Sequence, residues 1–333
     1  MNGAEIMWFV MGAGVIAYAL TGGADFGGGI WHLFARGSAK QRDEQRHAIE
    51  HAIAPIWEAN HVWLIFVIVM MFTAFPRAFA AISVALHIPI TLALVGIVMR
   101  GSAFVFYAYD LRGREHGRAW SLAFGVSSLL TPFVLGAILG ALSSGAIRWD
   151  GEHVTTGYVA GWTGLFAVGT GVFATALFAL LSAVYLAADT EGALSELFRK
   201  RALWMEAVCG VLAFAVLLLA EREAPLLFVD LAGSSLTPPI QIATALAALA
   251  TIVLLFQRRV RAARFAVALQ VGLVVVGWGL AMDGRIVMPD LTLANAGTRS
   301  AVVSALLPAL AVGALLLGPS LWYLFRVFKS SRS

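Results

Sequence analysis

Apolar residues occur along this chain in long runs with short polar breaks. The runs cover residues 6–35, 52–74, 78–99, 119–142, 161–187, 202–220, 239–256, 263–282 and 300–325. None alternates apolar and polar positions with the period of two that a half-buried strand shows. A bilayer core is crossed by a helix of roughly 20 predominantly apolar residues. Inside hydrocarbon every backbone N–H and C=O must be paired within the segment, which leaves the helix as the fitting element. The pattern therefore predicts an all-α integral membrane protein with nine transmembrane helices.

Composition agrees with this reading. The chain has 333 residues, of which 60% are hydrophobic and 13% charged, against roughly 45–50% and about 25% in soluble domains. The residues form a single polytopic domain, 1–333, because no polar segment is long enough to fold separately. The formal net charge of +4 is not a nucleic-acid signature, since the basic residues sit in short clusters between apolar runs and form no basic face. Taken in alternate loops, one set holds Arg36, Lys40, Arg42, Arg46, Arg100, Arg112, Arg114, Arg118, Arg199, Lys200, Arg201, Arg258, Arg259, Arg261, Arg264, Arg326, Lys329 and Arg332. The other holds Arg77, Arg148, Arg222, Arg285 and Arg299. Basic loops stay cytoplasmic, so the N-terminus is expected outside and the C-terminus in the cytoplasm. The start, Met1 to Glu5, carries an acid in place of a basic n-region, so no signal cleavage is expected. Cys209 is the single cysteine, which excludes an internal disulfide, a CxxC motif and a cysteine-based zinc site.

Ionisable residues inside apolar runs carry the most information, because a charge at the bilayer centre costs about 2.5–3.5 kcal/mol on insertion scales and normally faces protein or water. Asp25 lies in TGGADFGGGIWHLF, where helical spacing puts Thr21, Gly22, Gly28, Gly29 and His32 on its face. The glycines would let a second helix approach closely, giving either a packing seam around one satisfied acid or a proton-handling site. In HAIEHAIAPIWEANHVWLI, a continuous helix would line up His51, Glu58 and His61 over about 15 Å, a ladder of titratable groups. Pro55 would bend it. The plainer reading makes His47 and His51 part of a solvated helix start and Trp57 and Trp63 interface anchors. Arg100 is followed by further apolar residues, so it either snorkels to headgroups or pairs with Asp25 or Glu58. His87, beside Pro89, is read as a core hydrogen-bonder before it is read as a haem ligand. Phosphate loops, CxxCH haem attachment, catalytic triads and HExxH motifs are absent from the sequence, so no catalytic, cofactor-binding or metal residue is assigned to this chain.

At these residues the chain resembles subunit II of the cytochrome bd-type quinol oxidases. The resemblance rests on TGGADFGGG, on APIWEANHVWLI, on FTAFPRAFA, on the arginine of VMRGSAFVF and, more weakly, on MPDLTLANAG before the last helix. It implies nine helices arranged as two four-helix bundles plus one peripheral helix, here 1–142, 161–282 and 300–325. It also implies a similarly folded, haem-bearing subunit I as partner, in a bacterial cytoplasmic (inner) membrane. That partner would hold three haems, two b-type and one d- or b-type, and oxidise quinol while oxygen is reduced to water with cytoplasmic protons. Subunit II would supply scaffold, a cytoplasmic proton route or an oxygen route, and in some members a structural quinone site; some assemblies add a small single-helix third subunit. Residue by residue, Glu58 falls where many members have an aspartate implicated in proton uptake, Asp25 matches the acid of the first helix, and Arg100 matches the arginine after the third. Trp57, Asn60 and Trp63 match the surrounding motif. Gly22 stands where many members carry a second acid. Two other classes compete: a secondary transporter with an intramembrane acidic site, and a membrane cytochrome ligating haem through His51, His61 or His87.

Overall fold

The computed structural model describes residues 3–53, 57–109, 117–297 and 300–330; within these, the side chains of 57–59, 108–109, 300–301, 317, 321–322 and 324–330 lie outside the description. The elements in order are α1 (Gly3–Leu33), α2 (Ala39–Ile53), α3 (Trp57–Ala74), α4 (Pro76–Ala85), α5 (His87–Tyr109), α6 (Gly117–Ser144), α7 (Leu165–Asp189), α8 (Gly192–Glu223), α9 (Pro225–Gly233), α10 (Thr237–Phe256) and α11 (Val260–Ala281). A hairpin of β1 (Arg285–Val287) and β2 (Leu291–Thr292) follows, then α12 (Leu293–Ala296) and α13 (Ser300–Ser330). Among the described residues, eight helices are long and apolar enough to cross a membrane, and α3 with α4 makes a ninth if that bent pair is one span.

One predicted span changes in the structure. The run 78–99 is not one helix: Pro76 starts α4, which turns through 118° from α3, and a second break at Leu86 precedes α5. Pro89 lies in the first turn of α5, where a missing backbone donor does no harm, and α5 continues to Tyr109. Apolarity alone carries no sign of a bend. Within the run 52–74, Ala52 and Ile53 belong to α2 and Trp57–Ala74 to α3. Pro55 falls in residues 54–56, outside the described residues.

The amphipathic α2 was not anticipated. A capping box sets its start: the Gln41 backbone N–H donates to Ser38 Oγ at 3.3 Å and the Ser38 N–H donates to Gln41 Oε1 at 2.9 Å. It then buries Gln45, Ile49 and Ile53 at intervals of four residues, one face of a helix. Gln45 locks it down, donating to the Arg36 carbonyl at 2.7 Å and accepting from Arg201 Nη2 of α8 at 2.8 Å.

The deepest packing lies along α7, which meets α1, α6, α8 and α11 through small residues such as Ala176, Ala179, Ala183 and Ala187. The outer faces are apolar and exposed, with Ile65, Phe72, Leu94, Val98, Trp204, Val211, Phe214 and Phe265 among them, as expected of helices bounded by lipid. At the end opposite the basic clusters, the β1–β2 hairpin buries Ile286, Val287 and Leu291. The Met288 N–H donates to the Leu142 carbonyl at 2.9 Å, and Asp290 accepts from Arg148 Nε and from the Trp149 N–H, both at 2.9 Å.

Candidate functional site

The centre of the first half is a buried ion pair. Arg100 Nη2 on α5 donates to Asp25 Oδ1 on α1 at 2.6 Å and to the Asp25 carbonyl at 3.2 Å, while Nε donates to Ser128 Oγ on α6 at 3.2 Å. Arg100 is fully buried and Asp25 is 3% exposed. The guanidinium lies 5.1 Å from the ring centroids of both Phe26 and Phe124, where the ring faces attract the cation. The side chain of Asn60, buried on α3, stands beside the carboxylate. Four helices thus converge on one charge pair.

The sequence permits this through glycine. A Cβ at Gly29 would overlap the Ser128 side chain, and one at Gly27 would run into the Phe178 backbone of α7. Without side chains there, α6 and α7 close on α1, and Ser128 reaches Arg100. The alternatives left for Arg100 are resolved in favour of pairing with Asp25. Arg100 is consequently not a loop residue, and the asymmetry of basic loops holds without it.

The expected ladder of His51, Glu58 and His61 spans residues 54–56, which lie outside the described residues. His51 is exposed in the last turn of α2, whereas Glu58 and His61 belong to α3. The side chains of Trp57 and Glu58 lie outside the described residues. His61 is half-buried, 6.2 Å from the Tyr18 ring and 6.1 Å from the Phe26 ring, and it opens onto a groove of about 410 Å³ lined by Ile97, Val98, Gly101, Ser102, Val105 and Phe106. Trp63 is half-buried farther along α3. His87 is exposed and not in the core as expected, with Nδ1 2.9 Å from the Val84 carbonyl and its ring 4.9 Å from that of Tyr158.

Two groups escaped the sequence reading. On α2, His47 and Glu50 approach to 3.6 Å, and Glu50 Oε1 lies 3.8 Å from Nε2 of His32, which is fully buried at the end of α1. The i,i+3 spacing of His47 and Glu50 was visible, but only the fold of α2 back onto α1 brings them to His32. In the second half, Glu206 of α8 is 4% exposed and accepts from Gln270 Nε2 of α11 at 2.6 Å, with Thr251 of α10 at 3.5 Å from Gln270 Oε1. An acid inside LWMEAVCG was the available signal.

Comparison with known proteins adds to this geometry. Residues 3–328 match the family model described as cytochrome bd terminal oxidase subunit II. Cytochrome bd ubiquinol oxidase subunit 2 of Bacillus subtilis is 28% identical over 66% of this chain and 62% of its own length. Cytochrome bd-I ubiquinol oxidase subunit 2 of Escherichia coli K12 is 27% identical over 57% of this chain and 49% of its own, so the chain aligns with about half to three fifths of these relatives. A putative cytochrome bd menaquinol oxidase subunit II of Bacillus subtilis is 23% identical over 94% and 92%. The bd oxidase structure from Geobacillus thermodenitrificans superposes with a TM-score of 0.83 at 23% identity, covering 98% of this chain and 99% of that one, which establishes the shared fold. The chain belongs to the cytochrome bd terminal oxidase subunit II family.

Proposed function

We propose that this chain is the haem-free second subunit of a bd-type quinol oxidase in a bacterial cytoplasmic membrane, joined to a haem-bearing subunit I that oxidises quinol and reduces oxygen to water. In this reading the three haems reside in subunit I. The chain crosses the membrane nine times, with its basic end and C-terminus in the cytoplasm, and its two four-helix halves and last helix support the partner. The observation that carries a proton-handling role is the Asp25–Arg100 pair, sealed in the basic half of the bundle and joined to Ser128. A carboxylate at that depth is tolerated when it is paired, and an acid reached from the cytoplasm by Glu58 or a neighbour can hold a proton on its way to the partner.

The test is a tagged chain purified in mild detergent. A larger haem-bearing membrane protein should accompany it, and Glu58→Gln should lower quinol oxidase turnover with haem content unchanged. Iron porphyrin ligated by this polypeptide alone, or substrate-coupled proton flux from the isolated chain in vesicles, would overturn the reading in favour of a cytochrome or a transporter. The groove at His61 supports a second contribution, an oxygen route, because its walls are mostly apolar. Val98→Trp should then raise the KM for oxygen and leave kcat unchanged; an unaltered KM removes the groove from the route.

A further inference from the structure

We propose that His47, Glu50 and His32 form a proton-intake branch from the basic end of the bundle toward the Asp25–Arg100 pair. It rests on the proton-handling role proposed above and names residues for it that lie outside the family motifs.

The three groups form a graded series. The His47 side chain is 66% exposed, that of Glu50 18%, and that of His32 is fully buried. Each Glu50 oxygen faces a different imidazole: Oε2 is 3.6 Å from His47 Nδ1, and Oε1 is 3.8 Å from His32 Nε2. The carboxylate therefore bridges water and protein interior. Both distances exceed a direct hydrogen bond, so a small side-chain rotation or one bridging water completes each step.

His32 is the unusual member. Among the described residues, neither of its ring nitrogens has a hydrogen-bond partner, although its ring is enclosed edge-on by Tyr107 and Phe124, each at 5.2 Å. Even the exposed His87 sets a ring nitrogen against a carbonyl, that of Val84. Leaving a buried polar atom unsatisfied costs about 1–3 kcal/mol, a poor way to build a stable helix end and a suitable way to keep both nitrogens available.

The position also leads inward. Along α1, His32 stands about 4.5 Å above Gly29 and about 10.5 Å above Asp25 at 1.5 Å per residue. Ser128 packs on Gly29 and accepts from Arg100 Nε, so its hydroxyl occupies the level between imidazole and carboxylate. α2 is held for this purpose at several points: Ile49 and Ile53 rest on Gly28, and Gln45 is bound by Arg36 and Arg201. Protons balance along the series. His47, as imidazolium, gives its proton to the Glu50 carboxylate. The Glu50 carboxylic acid gives it to His32 Nε2, and His32 releases a proton from Nδ1 toward Ser128 and Asp25. Bulk water then reprotonates His47. Arg46 faces His32, Tyr107 lies near Glu50, Arg46 and Asp43, and Arg201 binds Gln45 of α2; none of them is placed in the series.

The experiment measures proton uptake from the medium, by a pH dye, as the reduced purified oxidase complex reacts with oxygen. Glu50→Gln should slow uptake and turnover about tenfold, less than the roughly 10²–10⁴-fold of one positioned acid–base group because the Glu58 route stays open, with haem spectra unchanged. Glu50→Asp should restore most of the rate, and His32→Gln should resemble Glu50→Gln. Should the His32 variant fail to assemble, the partly exposed Glu50 decides alone. If Glu50→Gln leaves uptake unchanged while Glu58→Gln slows it, the branch is wrong and the wider role stands. Uptake unchanged in both variants overturns both ideas. A fall in turnover without slower uptake marks Glu50 as structural and also overturns the branch.

Discussion

Among the described residues, each half of the molecule contains one acid buried within a membrane-spanning helix, and the two are answered differently. Asp25 meets Arg100 at 2.6 Å, with Ser128 and two aromatic rings completing the cation's surroundings. Glu206 meets only the amide of Gln270, backed by Thr251, and among the described residues it makes no ion pair. Burial is nearly equal, 3% against 4%. Equal burial therefore leaves the two acids in different surroundings, set by the charge of the partner. The first half holds a salt bridge whose members depend on each other, and the second holds a hydrogen-bonded cluster with neutral partners.

The largest expected effect comes from breaking the charged pair. Arg100→Leu leaves Asp25 without its cation and should destabilise the assembled complex by about 3–5 kcal/mol, the usual penalty for removing one partner of a buried pair. The double variant Asp25→Leu with Arg100→Leu should recover much of that loss, since the uncompensated charge is gone. Arg100→Lys should remain well below wild type, because an ammonium cannot hold Asp25 and Ser128 with the fixed fork of a guanidinium. Thermal inactivation in detergent measures all three. Equal instability of the single and double variants would show that packing, and not charge, dominates here.

The second half should respond less. Glu206→Gln keeps the size and an oxygen for Gln270, so it is expected to change stability by no more than about 1 kcal/mol, the net worth of one hydrogen bond. Gln270→Leu should cost more, near 1–3 kcal/mol, because it strands the Glu206 carboxyl without its donor. If Glu206→Gln proved as damaging as Arg100→Leu, the contrast between the two halves would collapse, and Glu206 would need a charged partner.

What the sequence revealed follows the same division. Apolar runs and alternating basic clusters identified the membrane class and most spans, because insertion depends on summed hydrophobicity. Asp25, Arg100 and the adjacent glycines were legible because a charge inside an apolar run must be explained locally. The break at Leu86 between α4 and α5 was not, since the apolar character of the run 78–99 continues through it. Glu50 was hidden for a further reason: α2 looks like a solvated helix start, and its proximity to His32 exists only once Ile49 and Ile53 settle on Gly28. The pairing of Glu206 with Gln270 spans 64 residues, and no spacing rule connects them.

An exposed pair sharpens the comparison from the other side and should give the smallest effect. Asp290 joins the connection before α12 to that after α6, accepting from Arg148 Nε at 2.9 Å and Nη2 at 3.2 Å and from the Trp149 N–H at 2.9 Å. Partial burial pushes its pKa up, but the hydrogen bonds from Arg148 and Trp149 and the arginine's charge outweigh this and hold the carboxyl below its ordinary value. A folded-state value below the unfolded one means that the contribution is complete above the unfolded pKa and disappears as pH falls through the folded one. Acidification below the ordinary carboxylate range should therefore loosen residues 145–156 and 288–296, seen as faster amide exchange there. The Arg148 side chain is 57% exposed, so solvent screening keeps the effect small, and Asp290→Asn should abolish its pH dependence. Raising salt to about 1 M, where screening acts over about 3 Å, should weaken this link and leave the enclosed Asp25–Arg100 pair unchanged. Equal salt sensitivity at both sites would mean that ions reach the pair inside the bundle, and the contrast between a sealed charge and an open one would have to be abandoned.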